Sequence, residues 1–600
     1  MAQQKPRKRS EIPTADTWAL EDLFPTDEAW EQELTTLNQD QQILASFEGR
    51  LGESGETLCR YLTQMEQVIE KLSLLGNYCI RRLDQDTRNT TYQTMAGSYR
   101  AASVAMGVAT SFETPEIMAI PEETLEGFYA ACPKLERYRR FLKDFRRRKA
   151  HVLSEAEEKL LSAAGEISQS PSGIFSAFTD ADLTFPDAVD AAGEKHPLTK
   201  GNFVVWESGS DRVLRKSAYE NMYHTIGAFR NTAAAVLNAQ HKQLKFFAEA
   251  RKYANSFEAA LDGTNVPTSV YLNLIEAVHQ NMDKMHRYVR LRKKILGLEE
   301  IHFYDIYTSL VPDADREIPF EEAKQTVYDA LAPLGRDYQA VLKEGFENRW
   351  IDVYENEGKR GGAYSAGTPV HPYVLMNYTG TLDSQFTLAH EMGHAMHSYL
   401  SNKLQNPIDS DYVIFVAEVA STCNEALLMQ YLLDRTSDKR ERAALINHFL
   451  EQFKGTIYRQ TMFAEFEYII GQYAAEGKVL TAELLCSEYK RLNELYFGPD
   501  MVVDDEIAIE WARIPHFYYD YYVFQYATGF SAAIALSRKI LTEGASAVRD
   551  YLNFLSGGCS KSPIDLLKGA GVDMTDVKPI NDALQLFGTL LDEMEALLED

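Results

Sequence analysis

From Glu56 to Leu83, and again from Thr268 to Leu296, apolar residues return every three to four positions with no proline between them. That period predicts amphipathic helices, and most of the chain repeats it. Two stretches depart from it. Leu183–Ser208 holds short apolar runs around AAGEKHPL and predicts a strand–turn–strand excursion. Asp352–Leu382 joins the glycine-rich GKRGGAYSAG to HPYVLMNYTGTL, whose VLM run with flanking Tyr and Thr suits a buried strand. The pattern therefore predicts a mainly α protein with one small sheet. A lobe boundary is expected near residue 200, between an N-terminal helical lobe (1–200) and a second segment (201–600).

Composition narrows the function classes. With 600 residues, 45% of them hydrophobic and 25% charged, the chain is globular and long enough to bury a large core. A formal net charge of -27 sets the surface against nucleic acid and anionic membranes, so neither is an expected partner. The basic run Arg139, Arg140, Lys143, Arg146, Arg147, Arg148 and Lys149 reads as a solvated helix face. The six cysteines form no CxxC pair, which suits a reducing compartment and excludes a cysteine-built metal site. The N-terminal MAQQKPRKRSEIPTADTW carries positive charge with no apolar stretch behind it, so export by a secretory signal is not expected. No run of 18 apolar residues occurs. The expected location is cytoplasmic.

The segment TLAHEMGHAMH contains His390-Glu391-Met392-Gly393-His394. Asp383 or Ser384 can cap a helix start, and Phe386, Leu388, Ala389, Met392, Ala395 and Met396 supply its apolar faces. Positions four apart stack on one helix face about 6 Å apart along the axis. Two imidazoles so placed can converge on one metal ion, leaving Glu391 positioned to reach a bound water. A catalytic zinc needs a third protein ligand. His397 shares the face, but three ligands over two turns of one helix meet poorly at a tetrahedral centre. Glu418, in FVAEVASTCNEALLMQYLL, is the better candidate, on a polar stripe with Ser421, Thr422 and Glu425. Spacing alone also allows Glu418 to be a surface carboxylate or a packing ion pair. Glu425, two turns on, could orient a ligating histidine.

Near the C-terminal end lies IPHFYYDYYVFQYATGF, with His516, Tyr518, Tyr519, Tyr521, Tyr522 and Tyr526. Phenols and an imidazole suit the stabilisation of an oxyanion, although such aromatic density also suits a core. Tyr522 and Tyr526 are expected one helical turn apart and pointing the same way. The backbone of Gly361, Gly362, Ala363, Tyr364 and Ser365 could pair with an extended peptide as an added strand.

Together, HEMGHAMH, FVAEVAST, GKRGGAYS and IPHFYYDYYVFQYATG resemble the thimet-oligopeptidase family of zinc peptidases, over roughly residues 200–590. The resemblance implies one zinc ion per chain on His390, His394 and Glu418, with Glu391 as general base. It implies that His516 contacts substrate, and that Tyr522 and Tyr526 are the nearest equivalents of the family's tyrosines, with Tyr519 beside them. The implied fold is a two-lobed helical clamshell with a small sheet beside the HExxH helix. Its deep channel would admit short unfolded oligopeptides and exclude folded proteins. The implied activity is zinc-dependent endopeptidase, with no obligate protein partner. A carboxypeptidase built from the same parts would need a cationic group for the substrate's free carboxylate. A peptide-binding protein with a structural zinc would have no use for Glu391.

Overall fold

Ser54 opens one of the long helices by accepting the Thr57 N–H at 3.1 Å, and Gly55–Gln85 follows with Leu58, Leu62 and Leu75 on its buried side. The computed structural model describes residues 7–311 and 316–599. It is mainly helical, with small sheets only. The second long helical pattern is interrupted, forming Thr268–His279 and Met282–Ile295. At the break, the Asn281 amide reaches back to the Ala277 carbonyl at 2.8 Å, a local bond that competes with the helix ladder. The excursion after Leu183 pairs Ala188–Val189 with Lys195–His196, as expected of a strand–turn–strand. Its last part, Phe203–Ser208, is instead a helix that buries Phe203 and Glu207, four residues apart, on one face. A short apolar run such as FVVW does not distinguish the two states.

The described residues form two compact units, each assembled from three chain segments. The first takes residues 1–150, 316–430 and 536–571; the second takes 151–315, 431–535 and 572–600. Residue 200 lies inside the second.

In the first unit a core of Trp18, Trp30, Tyr61, Tyr78 and many leucines reaches Tyr373 and Leu375 of a three-stranded sheet. Tyr373–Leu375, the buried strand expected from VLM, is its centre. It pairs parallel with Ile351–Asp352 and antiparallel with Tyr364–Ala366. The Trp18 indole N–H donates to the Val374 carbonyl at 2.6 Å. Lys359, with no exposed side-chain surface, donates to the carbonyls of Tyr354 (2.7 Å), Asp352 (3.2 Å) and Met376 and pairs with Asp352 at 2.8 Å. The basic run forms the helix Arg139–Arg147, which buries only Leu142. Arg139 pairs with Glu126 and Glu136, and Arg146 with Glu122, so acidic neighbours of the same unit meet these charges. All six cysteines are unpaired. No helix among the described residues is long and apolar enough to cross a membrane.

Lys359 is a single ammonium joining two strands to the loop between them. Arg9 still pairs with the Asp352 carboxylate in Lys359→Met, so the variant loses one of two cations and the donor to three carbonyls, at a cost of about 1–3 kcal/mol. A thermal unfolding midpoint lowered by several degrees is the expected result; an unchanged midpoint would show that the charge is dispensable.

Candidate active site

The HExxH segment lies on the helix Leu382–Leu404, here the histidine helix. Its cap is Thr381, whose hydroxyl accepts the Ser384 N–H at 3.2 Å; Asp383 and Ser384, expected at the cap, sit inside the first turn. Phe386, Leu388, Ala389, Met392, Ala395 and Met396 are all buried, as the apolar pattern required. A second helix, Ile414–Arg435, carries Glu418. The two meet backbone to backbone at Gly393, where an added Cβ would lie 2.6 Å from both the Ala420 carbonyl oxygen and the Ser421 Cα. The Asn424 amide donates to the Ala389 carbonyl at 3.1 Å and is itself held by the Tyr338 hydroxyl at 3.1 Å.

This crossing brings three ligand atoms together. His390 Nε2 and His394 Nε2 are 3.2 Å apart, and Glu418 Oε2 stands 3.4 Å from the first and 3.5 Å from the second. Two imidazole nitrogens and a carboxylate oxygen this close repel through their lone pairs unless a proton or cation lies among them. Bonds of 2.0–2.1 Å to a tetrahedral centre imply ligand–ligand spacings of about 3.3–3.4 Å, so the triangle fits one face of a zinc tetrahedron. The group is one that could hold a metal ion. A carboxylate oxygen of Glu425 bonds His390 Nδ1, which leaves Nε2 as the atom facing the triangle. The Ser421 hydroxyl donates to Glu418 Oε2 at 3.1 Å.

Glu391 is 6% exposed, and its Oε2 has no hydrogen-bond partner among the described residues. Burial raises its pKa above the ordinary carboxylate value. Burial also works against the Glu418 carboxylate, yet hydrogen bonds and charge from His390 and His394 overcome it and hold Glu418 well below the usual range. His397 points into packing: its ring stacks on Tyr412 at 3.6 Å and 3°, with Phe554 at 5.5 Å. Burial takes its pKa down to about 3.

Of the glycine-rich stretch, Gly361, Gly362 and Ala363 are irregular with a bend at Gly362, which is left-handed (φ 82°) and has its carbonyl held by the Asn377 amide at 2.8 Å. Tyr364 and Ser365 enter the strand that forms one edge of the sheet and packs against the histidine helix. The Tyr364 phenol is spent on Asp84 at 2.6 Å, so only this residue's backbone remains for a ligand.

In the second unit His516, Tyr519, Tyr522 and Tyr526 form one ring cluster. His516 lies 5.5, 6.3 and 6.1 Å from the three tyrosines in that order, and Tyr522 lies 5.3 Å from Tyr526. Tyr522 precedes the helix Phe524–Glu543, so a left-handed turn at Asp520 and Tyr521, not helical periodicity, sets its direction. Tyr518 and Tyr521 are core residues, packed on Phe175 and Phe257, whereas Tyr519 is 52% exposed. Burial lowers the His516 pKa.

Residues 205–586 match the profile of peptidase family M3, and residues 116–185 match that of oligopeptidase F. The chain belongs to peptidase family M3. Its M3 relatives include oligopeptidase PepF of Bacillus subtilis (strain 168), 47% identical over 591 residues that cover 98% of this chain and 88% of that one. An oligoendopeptidase F homolog of Lactococcus lactis subsp. lactis (strain IL1403) is 40% identical over 99% of both chains. The crystal structure of oligoendopeptidase-F from Enterococcus faecium superposes with a TM-score of 0.75 at 36% identity, over 96% of this chain and 99% of that one. The crystal structure of a Chlamydophila abortus protein superposes with a TM-score of 0.91 at 36% identity, over 99% of this chain and 100% of that one. As an M3 peptidase of this kind, the protein is a metalloendopeptidase acting on oligopeptides.

Sequence reasoning passed over Gly393 as a structural residue, although the glycine stands inside the motif. Gly393→Ala should force the two helices apart and cost about 1–3 kcal/mol. The check is a thermal midpoint compared with that of Gly455→Ala, whose Cβ meets nothing within 4 Å. Equal midpoints would show that the crossing tolerates a methyl group.

Proposed function

We propose that His390, His394 and Glu418 hold one zinc ion, and that the enzyme uses it to cleave internal bonds of short unfolded oligopeptides in the cytoplasm. The observation that carries this reading is the 3.2–3.5 Å triangle of two nitrogens and one oxygen, whose two histidines share a helix with the buried Glu391 and its unpartnered oxygen. Zinc held there supplies Lewis acidity toward the attacking water and the scissile carbonyl.

The chain's own residues do the rest. Glu391 accepts a proton from the water at Oε2 as the new C–O bond forms, then returns it to the amine nitrogen as the C–N bond breaks. Glu425 fixes the His390 tautomer, and Ser421 steadies Glu418. The edge strand at Tyr364 and Ser365, entered through Gly361, Gly362 and Ala363, offers backbone groups to an extended peptide without reading its side chains. His516, Tyr522 and Tyr526 are assigned as donors to the oxyanion, and Tyr519 to substrate contact. All of these residues fall in the segment 201–600, which is read as catalytic; residues 1–200 do not form a lobe of their own, since 1–150 pack with 316–430 in one unit and 151–200 belong to the other. Six unpaired cysteines suit a reducing cytoplasm, and a net charge of -27 suits neither nucleic acid nor anionic membranes as partners.

Three variants test the metal and the base together. Glu391→Gln should keep its zinc through dialysis against a mild chelator and lose turnover on a peptide blocked at both ends. Glu418→Ala should lose the metal, and His397→Ala should keep it. Near-normal hydrolysis by metal-loaded Glu391→Gln would sink the mechanism, and the reverse metal ranking would make His397 the third ligand.

Tyr526→Phe removes one hydroxyl and keeps the ring's packing. It should lower kcat by roughly 10²–10³ with little change in KM, the pattern of a lost oxyanion donor. If Tyr526→Phe, Tyr522→Phe and Tyr519→Phe all turn over normally, the phenols belong to packing and the donor is His516 or the metal.

A further inference from the structure

Asp520 and Tyr521 are consecutive left-handed residues, with φ of 57° and 59°. Aspartate tolerates that region, but a bulky side chain such as tyrosine is strained there. Such strain persists only where the surroundings over-determine it. Here they do. The helix Gln460–Ala475 grips Tyr521 at two points one turn apart. Glu467 Oε1 accepts the Tyr521 backbone N–H at 2.7 Å. Four residues on, Gly471 leaves room for the phenol: an added Cβ would lie 2.0 Å from the Tyr521 hydroxyl oxygen and 3.1 Å from Cζ. Phe257 and Tyr271 wall the ring at 5.3 and 6.2 Å, and the Gln240 amide holds Asp520 at 3.0 Å.

We propose that Glu467 and Gly471 form a clamp on Tyr521 that positions Tyr519 and Tyr522, and with them the His516–Tyr526 cluster, for contact with substrate. The proposal rests on the reading of that cluster given above. Pinning Tyr521 into the core turns the residues on either side of the left-handed pair toward each other, and the Tyr519 and Tyr522 rings meet at 6.3 Å and 89°. Neither Glu467 nor Gly471 belongs to the cluster, so both are positioning residues.

The chemistry of Glu467 supports a purpose beyond packing. It is fully buried, and its second oxygen has no partner among the described residues. Glu510, equally deep in the same unit, is met by Arg459, Arg513, Tyr223 and Tyr489. An apolar side chain would fill the Glu467 site without an unpaired oxygen, but it could not accept the Tyr521 N–H. Burial pushes the Glu467 pKa up to about 8, so at neutral pH it stands mostly as a neutral acid, which glutamine closely imitates.

The test uses the full-length, metal-loaded enzyme and an internally quenched peptide blocked at both ends, with metal content and thermal midpoint measured alongside. Glu467→Ala should lower kcat/KM on the order of tenfold to a hundredfold with metal content unchanged, and Glu467→Gln should stay within about threefold of the parent. Gly471→Ala should fall similarly, and adding Tyr521→Phe to it should restore most of the loss, since the hydroxyl is what the new methyl meets. Because relief of the clash also restores stability, rates are compared well below every variant's thermal midpoint, where general destabilisation alone leaves them equal. A parental rate for Glu467→Ala, a glutamine variant no better than alanine, or no relief of Gly471→Ala by Tyr521→Phe would each overturn the clamp. If Glu467→Ala does not fold, the Gly471 and Tyr521 pair decides alone. Tyr522→Phe, Tyr526→Phe and His516→Ala separate the two levels. If these three keep full activity, the reading of the cluster fails and the proposal with it. If they lose activity while Glu467→Ala does not, only the clamp is wrong.

Discussion

At Gly393 two helices touch backbone to backbone, and the metal group depends on that contact. Helices separated by ordinary side chains stand about 8–10 Å apart. A glutamate on one would then strain to reach a point between two histidines on the other. With no side chain at 393, Ala420 and Ser421 come up against the turn that joins His390 to His394. Glu418 then arrives within 3.4–3.5 Å of both ring nitrogens, and Glu425 reaches the far nitrogen of His390. Asn424, bonded to the Ala389 carbonyl, keeps one helix from sliding along the other.

The crossing creates an electrostatic debt as well as a geometry. Three carboxylates, Glu391, Glu418 and Glu425, gather around two imidazoles in a largely buried place. Removing that much negative charge from water is unfavourable unless a cation compensates it. A divalent ion at the triangle would answer Glu418 directly and offset the others at slightly longer range. A cation there would also offset the charge of Glu391, whose Oε2 has no hydrogen-bond partner among the described residues.

What was legible in the sequence followed the range of the interactions involved. His390, Glu391 and His394 announce themselves because their relation is local, four residues on one helix. The strand at VLM and the helical character of most segments were legible for the same reason. Spacing could not show that Glu418 comes within 3.4–3.5 Å of both imidazole nitrogens, since that contact joins separate helices. Thr381 was missed as the cap because Asp383 and Ser384 are equally good capping types two and three residues on. Tyr522 was expected to face Tyr526 through helical periodicity; their rings do meet, but through the left-handed turn at Asp520 and Tyr521. That turn is held by Glu467, more than fifty residues away in the chain, and nothing near Tyr521 signals it.

The three-segment construction of the first unit bears on how the chain is made. Trp18 leaves the ribosome early, yet the carbonyl that receives its indole belongs to Val374, and the unit's last segment ends at Gly571. At roughly 5–20 residues per second, the N-terminal segment waits on the order of 20–80 s for the rest of its unit. During that interval Trp30, Tyr61 and Tyr78 can pack only against their own neighbours. The first helices, Asp27–Ala45, Gly55–Gln85 and Thr90–Ala109, therefore have to hold together in the meantime, which fits their threonine, serine and asparagine caps. Nascent chains released at different lengths should gain resistance to protease abruptly, late in synthesis, and not in step with length.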